Sequence, residues 1–394
     1  MAIVVQKYGG SSVADVEKLG RVADKVVAAR HAGDDVVVVV SAMGKTTDQL
    51  LALAKQVDEN PPRRELDMLL STGERVSMAL LSMAIQKRGT PAISFTGSQS
   101  GIITNDRHFD ARILEVRPHR IEDELARGMV VIVAGYQGMS YRREITTLGR
   151  GGSDTTAIAL AAALGAERAE IYSDVDGVYT ADPRVVADAQ HLARLSYEEM
   201  QEMAEAGAKV LNATAVEFAK NAKIAIHARS TFDARRESVI TAAPSSSRTV
   251  TGQKGVARVH VAGGSEALRR ALAACAAAHT DPREVEAGEV GASFLVHVGV
   301  TPDWQAARGA IEAACGGGAR IEEGLATVSV VGDGLGRDAG ALGRAIGALE
   351  DARLAPLRTA TTPMRLAFLL AEAGADDAVR ALHAALVDTA PVAE

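Results

Sequence analysis

The chain has 394 residues, 47% of them hydrophobic, with 43 Lys and Arg against 50 Asp and Glu and a formal net charge of −7. That length accommodates two or three domains with cores of their own, and dispersed cations on a net-acidic chain exclude a general nucleic-acid or membrane-surface binder, whose affinity rests on clustered positive charge. The two cysteines, Cys275 and Cys315, show neither metal-ligand nor disulfide-framework spacing, so small buried hydrophobes in a reducing, cytoplasmic setting are expected.

Over the first 240 residues strand and helix patterns alternate. Ile3–Gln6 starts a strand with no basic leader before it, and no apolar run reaches the roughly eighteen residues of a membrane span. A helix follows over Asp15–Arg30, and then the apolar run Val36–Val40, of the kind found in parallel strands buried on both faces. Helices are expected at Thr46–Val57, Glu65–Gln86, Ile121–Arg127, Thr155–Leu164 and Ala215–Asn221. Strands are expected at Ala92–Phe95, Val130–Ala134, Glu170–Tyr172 and Ile224–His227. This alternation predicts an α/β three-layer sandwich over 1–240. The polar, small-residue stretch around Thr241–Lys254 reads as a linker. Beyond it, in 255–394, strands at Gly255–Val261, Ser293–Val300, Ala326–Val331 and Met364–Leu370 interleave with helices at Ser265–His279, Gly336–Asp351 and Asp376–Leu386. That pattern predicts two similar small α+β units. Gly332-Asp333-Gly334-Leu335-Gly336 misses the G-x-G-x-x-G spacing of a dinucleotide site and reads as a loop.

Two strand-to-helix junctions in the front half carry glycine turns. In Lys7-Tyr8-Gly9-Gly10-Ser11-Ser12 a lysine precedes the glycines, so the spacing is not that of a Walker A loop, yet a cation and open backbone stand together at a helix start. In Thr146–Thr156, Gly151 and Gly152 let the main chain approach a ligand, and the following helix adds free N–H groups and a partial positive charge. Ser153 or Asp154 can serve there as a plain helix cap, but capping requires neither Arg150, a bidentate cation at the mouth of the turn, nor a carboxylate beside it. Glu74 sits in a largely apolar helix and needs a partner, either Arg75 or a ligand ammonium. Ser41 and Thr47 fall where open α/β sheets place ligands, or serve as capping hydroxyls. A third cluster, Tyr172–Arg184, gathers turn formers and charges: Asp174 and Asp182 suit metal-bound phosphates or a nucleoside, Tyr179 a base, and Arg184 a phosphate.

Lys7–Ser11, Ser41–Gly44, Gly73–Arg75, Thr146–Thr156 and Ser173–Arg184 together resemble the aspartate kinases of the amino-acid kinase superfamily. The resemblance implies a three-layer α/β/α sandwich of the amino-acid kinase type followed by α+β ferredoxin-like (ACT-like) tandem units. It implies that Lys7, Gly9, Gly10 and Ser11 contact ATP phosphates, with Mg²⁺ held mainly through those phosphates and not by a dedicated protein metal site. Ser41, Thr47, Glu74 and Arg150 would hold L-aspartate, and Gly151, Gly152, Ser153 and Asp154 would organise the reacting groups. Ser173, Asp174, Tyr179, Thr180, Asp182, Pro183 and Arg184 would border the nucleotide, with Lys209 nearby. Lys7 and Asp154 would be catalytic, and the β-carboxylate of aspartate would be phosphorylated at the head of lysine, threonine and methionine biosynthesis. Glutamate or acetylglutamate kinase, and a non-catalytic amino-acid sensor, are the alternatives.

The family's tandem tail binds lysine or threonine and mediates dimers, so a homodimer or higher homo-oligomer through the ACT-like region is expected. Three stretches depart from the family pattern. Val210-Leu211-Asn212-Ala213-Thr214 replaces Val-Leu-His-Pro. The tail has Ala262-Gly263-Gly264-Ser265 in place of an Asp-x-Pro-Gly turn, and Thr361-Thr362-Pro363-Met364 in place of a Ser-Thr-Ser-Glu type strand. Weak or no inhibition by lysine is expected, with threonine the expected effector if either acts.

Overall fold

Five apolar or alternating runs, Ile3–Tyr8, Asp35–Val40, Ala92–Phe95, Val130–Ala134 and Arg168–Ser173, lie side by side as parallel strands in a computed structural model of the protein. It describes residues 2–149, 151–233, 235–289, 291–301 and 303–387. Ala225–Ser230 continues the parallel ladder, Glu237–Thr241 joins it antiparallel, and Arg194–Ser196 closes the edge of an eight-stranded sheet. Val36, Val38 and Val40 face one layer with Leu19, Val22 and Val26 of helix Val16–His31 and Leu81 and Ile85 of helix Thr72–Gln86. Val37 and Val39 face the opposite way and are equally buried, which is why the run carries no polar alternation. Helix Gly152–Ala163 packs on that second face against the first strands. The three-layer α/β/α sandwich is therefore present.

Local chemistry sets the boundaries. Asp15 accepts from Lys18 N at 2.8 Å and starts helix Val16–His31. The expected helix over Glu65–Gln86 is two helices, Arg63–Leu70 and Thr72–Gln86, joined at Ser71. The combined stretch is apolar enough to pass for a membrane span by length and composition, but half of its most apolar window is buried inside the protein. A small four-stranded sheet of Ile113–Val116, Ile102–Thr104, Gln137–Ser140 and Ile145–Thr147 was not foreseen, because three- and four-residue strands are too short to show a period.

The chain divides into two compact units. The first comprises Met1–Val178, His191–Ala204 and Lys209–Ser245, and the second Tyr179–Gln190, Glu205–Ala208 and Ser246–Glu394. This differs from a single cut between 240 and 255. Ala181 and Val186 sit in the second unit's core with Val250, Phe368 and Leu382, and Thr180 Oγ1 lies 2.9 Å from the buried His383 Nε2. The stretch expected as a linker to Lys254 is strand from Thr249 onward, since Thr-Val-Thr is a β-branched alternation.

The second unit is a six-stranded antiparallel sheet in the order Arg283–Ala287, Gly291–His297, Thr249–Ala262, Ala319–Val331, Arg365–Ala371, Arg358–Thr362. Its two long strands each serve both halves. Val256–Val261 pairs with 319–325 over the core of Cys275, Phe294 and Trp304, and Thr249–Lys254 pairs with 326–331 over the core of Phe368 and Leu382. Register shifts between Lys254 and Arg258 mark the joint. The two α+β units are thus interlocked: the stretch expected as linker supplies a strand of the second.

Candidate active site

Ile3–Tyr8 is flanked by Asp35–Val40 on one side and by Arg168–Ser173 on the other. The crevice at the carboxyl ends of strands where the order reverses is where open α/β sheets receive ligands. Strand alternation divides the residues there. Gln6 and Tyr8 turn to one face, where Gln6 donates to Glu170 at 2.9 Å, and Lys7 turns to the other. Lys7 Nζ lies 2.7 Å from Asp154 Oδ1, with the two side chains 12% and 13% exposed. At such burial the attraction is screened far less than on the surface.

Both glycine turns close on this pair. A Cβ on Gly9 would lie 3.5 Å from Lys7 Nζ, and one on Gly10 would lie 2.8 Å from the Ala42 carbonyl oxygen. Gly44 N donates to Gly10 O at 3.0 Å, so the turn after the first strand is latched to the turn after the second. Gly151 is left-handed at φ +71 and caps helix Gly152–Ala163, whose first turn carries Ser153 and Asp154, both buried. The positive end of that helix therefore opens at Lys7. On the side of the crevice toward Arg168–Ser173, Gly9 N donates to Tyr172 O at 3.1 Å, and Ser12 Oγ and Thr231 Oγ1 are 2.6 Å apart.

On the other side stands Glu74, in the first turn of helix Thr72–Gln86 and 3% exposed. Its Oε1 accepts from Ala42 N at 3.0 Å, while Oε2 is buried without a hydrogen-bond partner. Burial pushes the carboxyl up to about 7, with the Ala42 N–H pulling the other way. Arg75 does not pair with it, so the local ion pair, one of the two partners weighed for this carboxylate, is not formed. Ser41 and Thr47, both half-buried, do not cap helix Thr46–Val57: Lys45 holds the N-cap position without a side-chain bond, and Thr46 Oγ1 donates to Met43 O.

Lys7, Gly9, Gly10, Ser11, Ser41, Thr47, Glu74, Gly151, Gly152, Ser153 and Asp154 are brought to one end of the first unit, and Ser173 ends a strand there, with Asp174 directly after it. Arg150 lies outside the described residues. Tyr179, Thr180, Asp182, Pro183 and Arg184 belong to the second unit, where Arg184 pairs with Asp182 at 2.8 Å and Thr180 is buried beside His383. Lys209 is exposed just ahead of helix Ala213–Ala222.

Other residues at the site carried no motif. Asn212, in the departing Val-Leu-Asn-Ala-Thr stretch, accepts from Thr214 N and Ala215 N and covers Gly151 where a Cβ would stand. That is a sound helix start without proline. Gly135, at the end of a buried strand, leaves room for Ser153 Oγ, 2.7 Å from the place of its missing Cβ. A glycine directly after an apolar strand run was the available signal.

A sequence model of the amino acid kinase family matches residues 2–230. Over 403 residues the chain is 43% identical to the aspartokinase of Corynebacterium glutamicum, covering 97% of this chain and 96% of that protein. The chain belongs to the aspartokinase family. It is 57% identical to the Mycolicibacterium smegmatis aspartokinase over 241 residues, which span 61% of this chain and 57% of that relative. E. coli aspartokinase III in complex with aspartate and ADP superposes with a TM-score of 0.86 at 26% identity, covering 98% of this chain and 99% of that one; its complex with lysine and aspartate gives 0.73. The first unit accordingly has the amino acid kinase fold, and the second is the family's pair of ACT-like halves.

Proposed function

We propose that this aspartokinase-family chain transfers the γ-phosphoryl group of MgATP to the β-carboxylate of L-aspartate, giving 4-phospho-L-aspartate. The observation that carries the reading is the Lys7–Asp154 ion pair at the strand-order reversal, together with the buried Glu74 carboxylate on the other side of the crevice, whose Oε2 has no hydrogen-bond partner. A carboxylate nucleophile needs no base to remove a proton, so alignment and charge stabilisation supply the rate. Lys7 neutralises charge that develops on the transferred group, and Asp154 fixes the ammonium in place. Backbone N–H groups of the two glycine turns add to this field. Glu74 receives the α-ammonium and Arg150 the α-carboxylate, which sets the reach of the β-carboxylate.

Among the described residues no group of three or more His, Cys, Asp or Glu side chains could hold a metal. Mg²⁺ arrives on the phosphates, where it supplies charge neutralisation. The Gly10 cradle and Lys7 suit such an anionic guest. Ser173 and Asp174 border the nucleotide. Tyr179, Thr180, Asp182, Pro183, Arg184 and Lys209 are carried over by the family resemblance alone. The protein works in the cytoplasm as a homodimer or higher oligomer paired through its ACT-like halves.

Trapping the acyl phosphate with hydroxylamine tests the substrate. Aspartate should give hydroxamate with ATP, while glutamate and acetylglutamate give little, because one more methylene moves the attacking carboxylate out of near-attack alignment. Equal turnover of glutamate would replace the assignment with a related kinase, and no turnover of any acceptor would favour the sensor.

Regulation is tested by titrating lysine and threonine at subsaturating aspartate. Ala262–Ser265 offers an effector few polar side chains, and Gly264 holds the N-cap of helix Ser265–Ala277 without a side-chain bond. An effector acts only through differential affinity for two states, so lysine should inhibit weakly or not at all, and threonine is the expected effector if either acts. Strong inhibition by lysine alone would reverse that order.

A further inference from the structure

A further buried carboxylate lies on the helix that precedes the helix of Glu74. Asp67, on helix Arg63–Leu70, is fully buried, and it gathers three donors from two other elements. Thr147 Oγ1 donates to its Oδ1 at 2.6 Å, Phe109 N to the same oxygen at 3.0 Å, and His108 Nδ1 stands 2.6 Å from Oδ2. Desolvation raises the carboxyl's pKa, against these bonds. A buried acid is costly, and the bonds gathered here offset that cost only while all three elements stay in register.

Two chain directions leave this node. Toward the C-terminus of its own helix, Asp67 is followed by Ser71, whose carbonyl accepts from Gln137 Nε2 at 2.9 Å, and then by Gly73 and Glu74. From Thr147 the chain runs through Leu148, whose N donates to Tyr136 O at 2.9 Å, into Gly149 and the Gly151–Asp154 turn. The loop between is held too: Ala111 N donates to Thr147 O at 2.8 Å, a Cβ on Gly149 would lie 3.1 Å from Asp110 Oδ1, and Phe109 takes a left-handed φ of 72. A non-glycine residue in that conformation persists only where its surroundings hold it there.

We propose that Asp67, through Thr147, is a positioning residue for the acceptor: it sets the span between Glu74 and the Gly151–Asp154 turn and thereby fits the site to a four-carbon amino diacid. The proposal rests on the reading of the crevice as an aspartate site. Neither Asp67 nor Thr147 touches the acceptor. Their hydrogen bond ties the helix that precedes the ammonium-binding end to the strand that precedes the phosphoryl-transfer end, so loosening it changes acceptor alignment and leaves the nucleotide side, built on Gly9–Ser12, alone.

Thr147→Val removes the hydroxyl and keeps the shape. It should raise the aspartate KM about tenfold or more, keep the ATP KM within about twofold, and narrow the aspartate-to-glutamate hydroxamate ratio, with Tm shifted by only a few degrees. Thr147→Ser, which restores the donor, should return the aspartate KM to the wild-type value, and Asp67→Ala, which removes the acceptor, should behave like Thr147→Val. A serine variant as impaired as the valine one would overturn the proposal. So would equal rises in both KM values, or an unchanged aspartate KM in both Thr147→Val and Asp67→Ala. Wild-type protein that makes no aspartyl hydroxamate would instead defeat the substrate reading, so the two failures are distinguishable.

Discussion

Lys7→Ala should lower kcat by on the order of 10²-fold or more while leaving the aspartate KM within a few-fold. A factor of that size is roughly 2.7 kcal/mol of transition-state stabilisation, in the range of a single well-placed donor in a water-poor site. The reason for the split lies in where the charge is used. Lys7 is held by Asp154 at 2.7 Å and stands beside the Gly9–Gly10 turn, opposite the end where Glu74 takes the acceptor. Its ammonium meets charge that grows as the phosphoryl group moves, and interactions that strengthen only in the transition state appear in kcat. Asp154→Asn should show a milder loss of the same kind, since it loosens the ammonium without removing it. Steady-state kinetics with both substrates varied decide the matter: a Lys7→Ala enzyme with normal kcat and a large rise in KM for ATP would make Lys7 a ground-state binding group.

What could be read from the residues alone was what repeats or what breaks a repeat. Val36–Val40 announced a doubly buried strand, and the glycine turns after Lys7 and after Leu148 announced two strand-to-helix junctions that meet at one end of the first unit, because a five-residue apolar run and a Gly-Gly step each have few physical causes. Asp67 was not legible: its value depends on Thr147 and on loop residues His108 and Phe109, and nothing local marks residues forty to eighty positions apart as neighbours. The segment Thr180–Arg184 was legible as chemically rich, but its placement was not. Thr180 and Ala181 are drawn into the second unit by His383 and Val250, tertiary partners that arrive about two hundred residues later and about seventy residues later in the chain, respectively. The interlocked strands Thr249–Ala262 and Ala319–Val331 escaped for the same reason, since half of each pairs in one ACT-like half and half in the other.

Glu74 makes aspartate binding depend on pH. With its carboxyl raised to about 7 by burial, the free enzyme holds Glu74 largely protonated below that pH and largely ionised above it. The α-ammonium of aspartate binds the ionised form, so the aspartate KM should rise about tenfold as pH falls from 8 to 6 and should level off above 8. Glu74→Gln should raise the KM at pH 8 by on the order of 10²-fold, through loss of a buried charge-assisted contact, and should flatten the profile. Stability carries the opposite sign. A folded-state pKa above the ordinary value of 4.5 means that ionising Glu74 destabilises the empty enzyme, an effect absent below that value and complete above about 7. The shift of about two and a half units amounts to roughly 3 kcal/mol at most. Without aspartate, Glu74→Gln should therefore melt higher than wild type at pH 8 and no higher at pH 5, while added aspartate should raise the wild-type Tm far more than the variant's. Differential scanning calorimetry at the two pH values, with and without aspartate, reads all four numbers; a wild-type KM that stays flat between pH 6 and 8 would show that Glu74 is ionised throughout and that a cation already meets it in the free enzyme.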